Sequence, residues 1–199
     1  MRAALHIGPE IPAGDCDSIG CGSAKGTAVD WVRGSIDKMG PDGDAAMARA
    51  LSSEDYETYR SMMAVGWIRE DVAGRILRAA GNILFAGATD VTFEMGRILS
   101  KAHITGIYRM LLKVATIPLI IAQASRLWRT LHDRGEPSSL SESNGRCVTF
   151  VVRDYPEFPT DMRNLVRGYI VGLGELAGEK VTTRLDESDP NAWKWISTW

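Results

Sequence analysis

From Thr160 to Gly178 the apolar residues Met162, Leu165, Val166, Tyr169, Ile170, Leu173, Leu176 and Ala177 recur at spacings of three and four without a break, one wide helical stripe. On both sides of this stripe the period changes to two. Upstream, Val148, Phe150 and Val152 alternate with Cys147, Thr149, Val151 and Arg153 behind Asn144-Gly145, a strong hairpin signal because both positions of a type I′ turn need positive φ. Downstream, the stretches from Glu179 to Leu185 and from Ala192 to Trp199 read as strands joined by Asp186-Glu-Ser-Asp-Pro190. A helix enclosed by two strand pairs predicts a β-β-α-β-β order, a four-stranded antiparallel sheet of meander type with helices on one face. On this strand-type parity, Val148, Phe150 and Val152 face the core, and Trp193, Trp195 and Trp199 share one side of the last strand.

Upstream of residue 138 the pattern is helical, so the fold class is α+β with an N-terminal helical layer packed on the sheet. Val29, Val32, Ile36 and Met39 mark a helix that begins at about Ala24 and ends at Gly40-Pro41. A short helix around Ala45 to Leu51 follows. Ser52-x-x-Asp55, a variant of the capping box, precedes Tyr56, Tyr59, Met62 and Met63 on one face. Gly66-Trp67 reads as a turn into a helix carrying Val72, Ile76, Leu77 and Ala80, which Gly81-Asn82 ends. Further helices are predicted from Thr89 or Asp90 through Val91, Met95, Ile98 and Leu99, across Thr105 to Val114, and from Ile117 to His132. The last of these repeats Ile120, Ile121, Ala124, Leu127, Trp128 and Leu131, a stripe wide enough for the middle of a core. Residues 1–23, rich in Gly, Pro and Asp, are expected to form a loop or partly ordered arm ahead of one α+β domain over residues 24–199.

The chain has 199 residues, 45% of them hydrophobic, and a formal net charge of -2. Those values exclude a disordered chain and argue against nucleic acid, which needs a basic face. Three cysteines, Cys16, Cys21 and Cys147, cannot build a disulfide framework, so a reducing, cytoplasmic location is expected. The most apolar stretch, Val114 to Ala124, is interrupted by Thr116, Pro118 and Gln123 and is too short to span a bilayer.

No catalytic constellation is present. Lys25-Gly26-Thr27 follows Ala24, so the glycine that a phosphate loop places before its lysine is missing, and there is no Gly-x-Ser-x-Gly elbow. Cys16 and Cys21 lack a second pair, and no two histidines have metal-ligand spacing. Asp154 and Glu157 sit beside prolines and read as solvated, and Gln123, Arg126, Arg129 and Asp133 read as a surface ladder. His103 is the best placed candidate for an axial ligand, although a lone histidine among apolar residues is more often a satisfied polar group.

Thr105-Gly-Ile-Tyr-Arg109, Leu127-Trp-Arg-Thr-Leu-His-Asp-Arg-Gly-Glu136, and the Tyr155-Pro segment with Gly168-Tyr169 and Gly172 resemble a paralogous family abundant in myxobacteria. More remotely they resemble the superfamily of 4-vinyl-reductase-type, TRAPP-component and haem-NO-binding-like domains, over roughly Ala24 to Trp199. The resemblance implies a helical layer on an antiparallel sheet with an apolar space between them, in sensors, carriers or assembly scaffolds. Two departures limit it. Asp189-Pro-Asn-Ala-Trp193 lacks the cysteines of vinyl-reductase-type domains, and the haem-NO-binding signature Tyr-x-Ser-x-Arg is absent, so haem is not carried over.

The expected function is a non-enzymatic sensory or carrier domain for a hydrophobic small molecule, with no metal and no cofactor. The expected lining is Trp67, Leu99, His103, Tyr108, Ile121, Trp128 and Tyr169. One alternative is a fully packed scaffold dimerising through Trp193, Trp195 and Trp199, since aromatics are enriched at interfaces. The other is an enzyme reducing a tetrapyrrole vinyl group, by analogy alone.

Overall fold

The structure is a computed structural model and describes residues 21–104, 116–142 and 145–199. It is an α+β fold. Among the described residues there are seven helices: α1 (Thr27–Asp37), α2 (Pro41–Ala50), α3 (Ser53–Ser61), α4 (Glu70–Leu84), α5 (Val91–His103), α6 (Ile117–Leu131) and α7 (Thr160–Leu176). Four strands, β3 (Glu136–Ser141), β4 (Cys147–Arg153), β5 (Thr182–Asp189) and β6 (Ala192–Thr198), form an antiparallel sheet. Two short strands, β1 (Ser23–Lys25) and β2 (Trp67–Arg69), pair separately.

That pair corrects two expectations. Ala24 lies in β1 rather than in a helix, and Gly66-Trp67 opens β2 rather than α4. The Gly26 N–H donates to the Gly66 carbonyl, and the Glu70 N–H to the Gly22 carbonyl, which closes the ladder at both ends. Residues 22 and 23 are also tied into the fold, through Tyr155 Oη and the Asp133 carboxylate, which accept from their backbone N–H groups.

The helical stripes bury as their spacing requires. Val29, Val32 and Ile36 of α1 and Ile76, Leu77 and Ala80 of α4 are buried, while Met39 is exposed. Ser52 Oγ accepts from the Asp55 N–H at the start of α3, and the Asp90 carboxylate from the Phe93 N–H at the start of α5. Thr160 does not cap α7: it is the first helical residue, and its hydroxyl accepts from Arg163. Gly81 does not end α4 but lies inside it, where a side chain would strike Val91.

The sheet order is β3-β4-β6-β5, not the sequential meander expected. The reason lies in composition. β5 carries Arg184, Asp186, Glu187 and Asp189, charges that suit an edge, whereas β6 carries Trp193, Trp195 and Ile196 and takes the central place. The β3–β4 register centres on residues 144 and 145, as Ser141 pairs with Val148 and Glu136 with Arg153; Asn144 itself lies outside the described residues. Val151, given outward parity by the alternation, is buried as well, so β4 is covered on both faces.

α5 and α7 approach to backbone contact. A side chain at Gly96 would collide with the Leu165 carbonyl, one at Gly168 with the Phe93 carbonyl, and one at Gly172 with Ser100. The three glycines bring the two backbones together and hold the C-terminal end of α5 beside the middle of α7.

Candidate ligand cavity

Below that crossing lies a cavity of about 110 Å³, bounded by the end of α5, by α6 and α7, by Phe150 of β4 and by Ala24 to Ala28. Leu99, His103, Trp128 and Tyr169, four residues singled out from sequence, line it together. Two of the other three do not line it, and the third is not among the described residues. Trp67 is 48% exposed on β2, beneath the Lys25 ammonium, which stands 4.0 Å from its ring centroid. Ile121 is buried in the core but is not part of the lining, and Tyr108 lies outside the described residues. Sequence reasoning missed the β1 contribution and most of the α7 wall, including Met162, Leu165 and Ile170. The uninterrupted α7 stripe carried the signal for the wall, since one face of that helix covers both core and cavity.

Trp128 sets the floor of the cavity. Its indole N–H donates to the Arg134 carbonyl at 2.7 Å, and its ring stacks on His132 at 3.9 Å between centroids and 14° between planes. Phe158 meets it edge-on, and Phe150 and Trp195 lie further round. Gly135, at φ 86°, turns the chain directly after Arg134, where a side chain would press on Val152 and on Trp128 itself. The stretch from Leu127 to Glu136 is therefore an aromatic anchor joining α6 to β3.

His132 also reaches Glu70: Nδ1 lies 2.8 Å from Oε1 of a carboxylate that is 0% exposed. The second oxygen, Glu70 Oε2, is buried without a partner. Glu70 begins α4, so this contact joins the β1–β2 layer to the end of α6. Tyr155, whose hydroxyl holds the Gly22 N–H, has its acidity suppressed by burial and by the nearby Glu70 carboxylate.

At the other end stands His103, the last residue of α5, with its ring 6.0 Å from that of Tyr169. Burial lowers the His103 pKa, the Thr27 backbone acting in the opposite direction, and Nε2 is buried without a hydrogen-bond partner. Burial pushes the Tyr169 hydroxyl up to about 12. Both side chains are thus neutral near pH 7.

The remaining candidates from sequence are dispersed. Gln123, Arg126, Arg129 and Asp133 are exposed, as are Asp154 and Glu157. Cys21 Sγ donates to Asp71, and Cys16 lies outside the described residues. Among the described residues no group of three or more His, Cys, Asp or Glu is placed to hold a metal ion, and no helix is long and apolar enough to cross a membrane. Trp195 is fully buried, with Trp193 and Trp199 packed against the same core. Trp193 donates to the Tyr155 carbonyl and Trp195 to the Arg163 carbonyl, while Trp193 and Trp199 remain half-buried.

No protein-family model and no curated protein matches the sequence. Solved structures do match in fold. The unliganded Fe(II) H-NOX protein from K. algicida superposes with a TM-score of 0.59 at 13% identity, covering 87% of this chain and 95% of that one. An H-NOX protein from S. oneidensis in the Fe(II)NO ligation state gives a TM-score of 0.61 at 10% identity, covering 88% and 99%. A mutant of the T. Tengcongensis H-NOX gives 0.59 at 14% identity, covering 87% and 96%. The fold is therefore that of the H-NOX structures; the vinyl-reductase-type and TRAPP-component likenesses find no counterpart among these.

Proposed function

We propose that this chain is a non-enzymatic sensory or carrier domain that binds a small apolar molecule between the helices and the sheet. The observation that carries this reading is the cavity itself, walled by Leu99, Trp128, Leu165 and Ile170 and lying where α5, α6 and α7 meet the sheet. The H-NOX fold supports a sensory role, because the S. oneidensis relative in fold carries NO on Fe(II).

Haem, which work on H-NOX proteins concerns, does not fit the described residues. One feature suits it, since His103 Nε2 is buried, free of partners and attached to a ring that burial keeps neutral. The space does not suit it. Cofactor pockets run to roughly 300–1,000 Å³, whereas Trp128 and its aromatic neighbours leave about 110 Å³ here. The two carboxylates of a haem would also need cationic partners. Lys25, the one lysine or arginine among the described residues of the lining, is directed to the Val65 carbonyl and the Trp67 ring.

Denaturing mass spectrometry of an organic extract of the purified protein tests the reading. A small apolar compound at about one per chain is expected. An empty extract, together with no thermal shift on adding small apolar compounds, overturns it.

A further inference from the structure

Between α3 and β2 the Gly66 N–H donates to the Met63 carbonyl at 2.9 Å, which closes a β-turn with Ala64 and Val65 at its corner. Exposed turns favour Gly, Pro, Asn, Asp and Ser. This one is apolar: Met63 is 66% exposed, Val65 75%, and Trp67 directly after it 48%. Three of the seven exposed large hydrophobic side chains among the described residues thus fall within five positions, while Met39, Leu119, Leu127 and Leu140 are spread over the end of α1, α6 and β3. Single exposed apolar residues are ordinary on a protein surface, and a concentration of them marks a contact site.

The turn also carries a positive charge. Lys25 Nζ donates to the Val65 carbonyl at 3.1 Å and lies 4.0 Å from the Trp67 ring centroid. Arg33, which donates to the Met62 carbonyl, is paired with Asp30, and Arg69 with Asp71. Among the described residues no carboxylate pairs with Lys25, so the uncompensated charge at the turn is its ammonium.

We propose that the Met63–Gly66 turn, with Trp67 and Lys25, docks this chain on the surface of an anionic lipid bilayer. The convex apolar corner enters the interface, Trp67 lies at headgroup level, and Lys25 meets an anionic headgroup. A protein partner suits the turn less well. A stable protein complex buries roughly 800 Å² on each side, more than three partly exposed side chains supply, whereas a bilayer yields to a convex turn and rewards each inserted apolar group separately.

Co-sedimentation of the full chain with vesicles of phosphatidylcholine, with and without phosphatidylserine, tests the proposal. Binding is expected to be about fivefold stronger with phosphatidylserine, the gain from one cation at an anionic surface. Val65→Glu should weaken it about tenfold, through the lost burial of one apolar side chain. Leu140→Glu, the same charge change at an exposed leucine of β3, should leave it unaltered. Vesicles should also shift tryptophan emission to the blue in the native chain and less in Trp67→Phe. Val65 and Leu140 are exposed, so both substitutions leave the core intact. No binding to phosphatidylserine vesicles overturns the proposal, as does binding that Val65→Glu and Leu140→Glu change equally. Equal binding to both kinds of vesicle overturns the charge pairing on which the choice of an anionic surface rests. Self-association in lipid-free solution that Val65→Glu abolishes, with no vesicle binding, places a second copy on the turn and overturns the lipid assignment.

Discussion

His103 and Trp128 bound the same cavity and affect stability in different ways. An unfolded histidine titrates near 6.5, and burial lowers that value here, so between the folded and unfolded values the unfolded chain binds more proton. The stability His103 contributes is fully present above about 6.5 and is lost as the pH falls through the folded value. Urea midpoints between pH 7 and 5 should fall less steeply for His103→Phe than for the native chain, and parallel slopes would remove His103 as the source. Trp128 acts through volume. Trp128→Ala removes the ring that meets Phe150, Phe158 and Trp195 and frees the Arg134 carbonyl. The expected loss is about 3–5 kcal/mol by chemical denaturation. The enlarged cavity should also show a thermal shift with two-ring hydrocarbons that the native chain does not show.

The α5–α7 crossing depends on glycines whose role is contact rather than flexibility. Gly168 lies inside a regular helix, and a methyl group there meets the Phe93 carbonyl, part of a backbone that cannot rotate aside. Gly168→Ala should therefore destabilise the fold by about 1–3 kcal/mol, the range of an overpacked core. Gly34, in α1, has nothing within 4 Å of the same position, so Gly34→Ala should stabilise by about 0.4–1 kcal/mol. Thermal unfolding of the two variants side by side checks the contrast, and equal effects would mean that the crossing is not tight. α7 was legible from its stripe because packing on two sides demands an unbroken apolar face. The β1–β2 pair was not, since Ser-Ala-Lys and Trp-Ile-Arg are too short for a period to register. Trp67 misled for a related reason: its size suggests burial, but a three-residue strand places it outward under Lys25. Leu99, His103, Trp128 and Tyr169 could be found because helical faces set their directions, whereas Ala24 and Thr27 reach the cavity only through a strand pairing that their own sequence does not announce.

For the whole molecule, the decisive contact is the one between Glu70 and His132, distant in sequence and each at the end of a helix. Hydrogen bonds from Glu70 N–H to Gly22, from Gly22 N–H to Tyr155, and from Ser23 N–H to Asp133 surround it, along with a bridge between Ala24 and His132. The β1–β2 layer is thereby fastened to the α6–β3 corner at the point where Trp128 stacks on His132. Removing one partner leaves a fully buried carboxylate unpaired, so His132→Ala should cost about 3–5 kcal/mol. Glu70→Gln keeps the shape and can still hydrogen-bond the imidazole, so it should cost less than His132→Ala. In the double variant the losses should fall short of their sum, as expected for residues that share one contact. Hydrogen exchange locates the effect. The amides of Ser23 to Lys25 and Trp67 to Arg69 should lose protection together in His132→Ala, while those of β4 and β6 keep theirs. Uniform loss across the sheet would mean that Glu70 and His132 stabilise the core generally rather than fasten one layer to it, and the wall that β1 contributes to the cavity would then not depend on them.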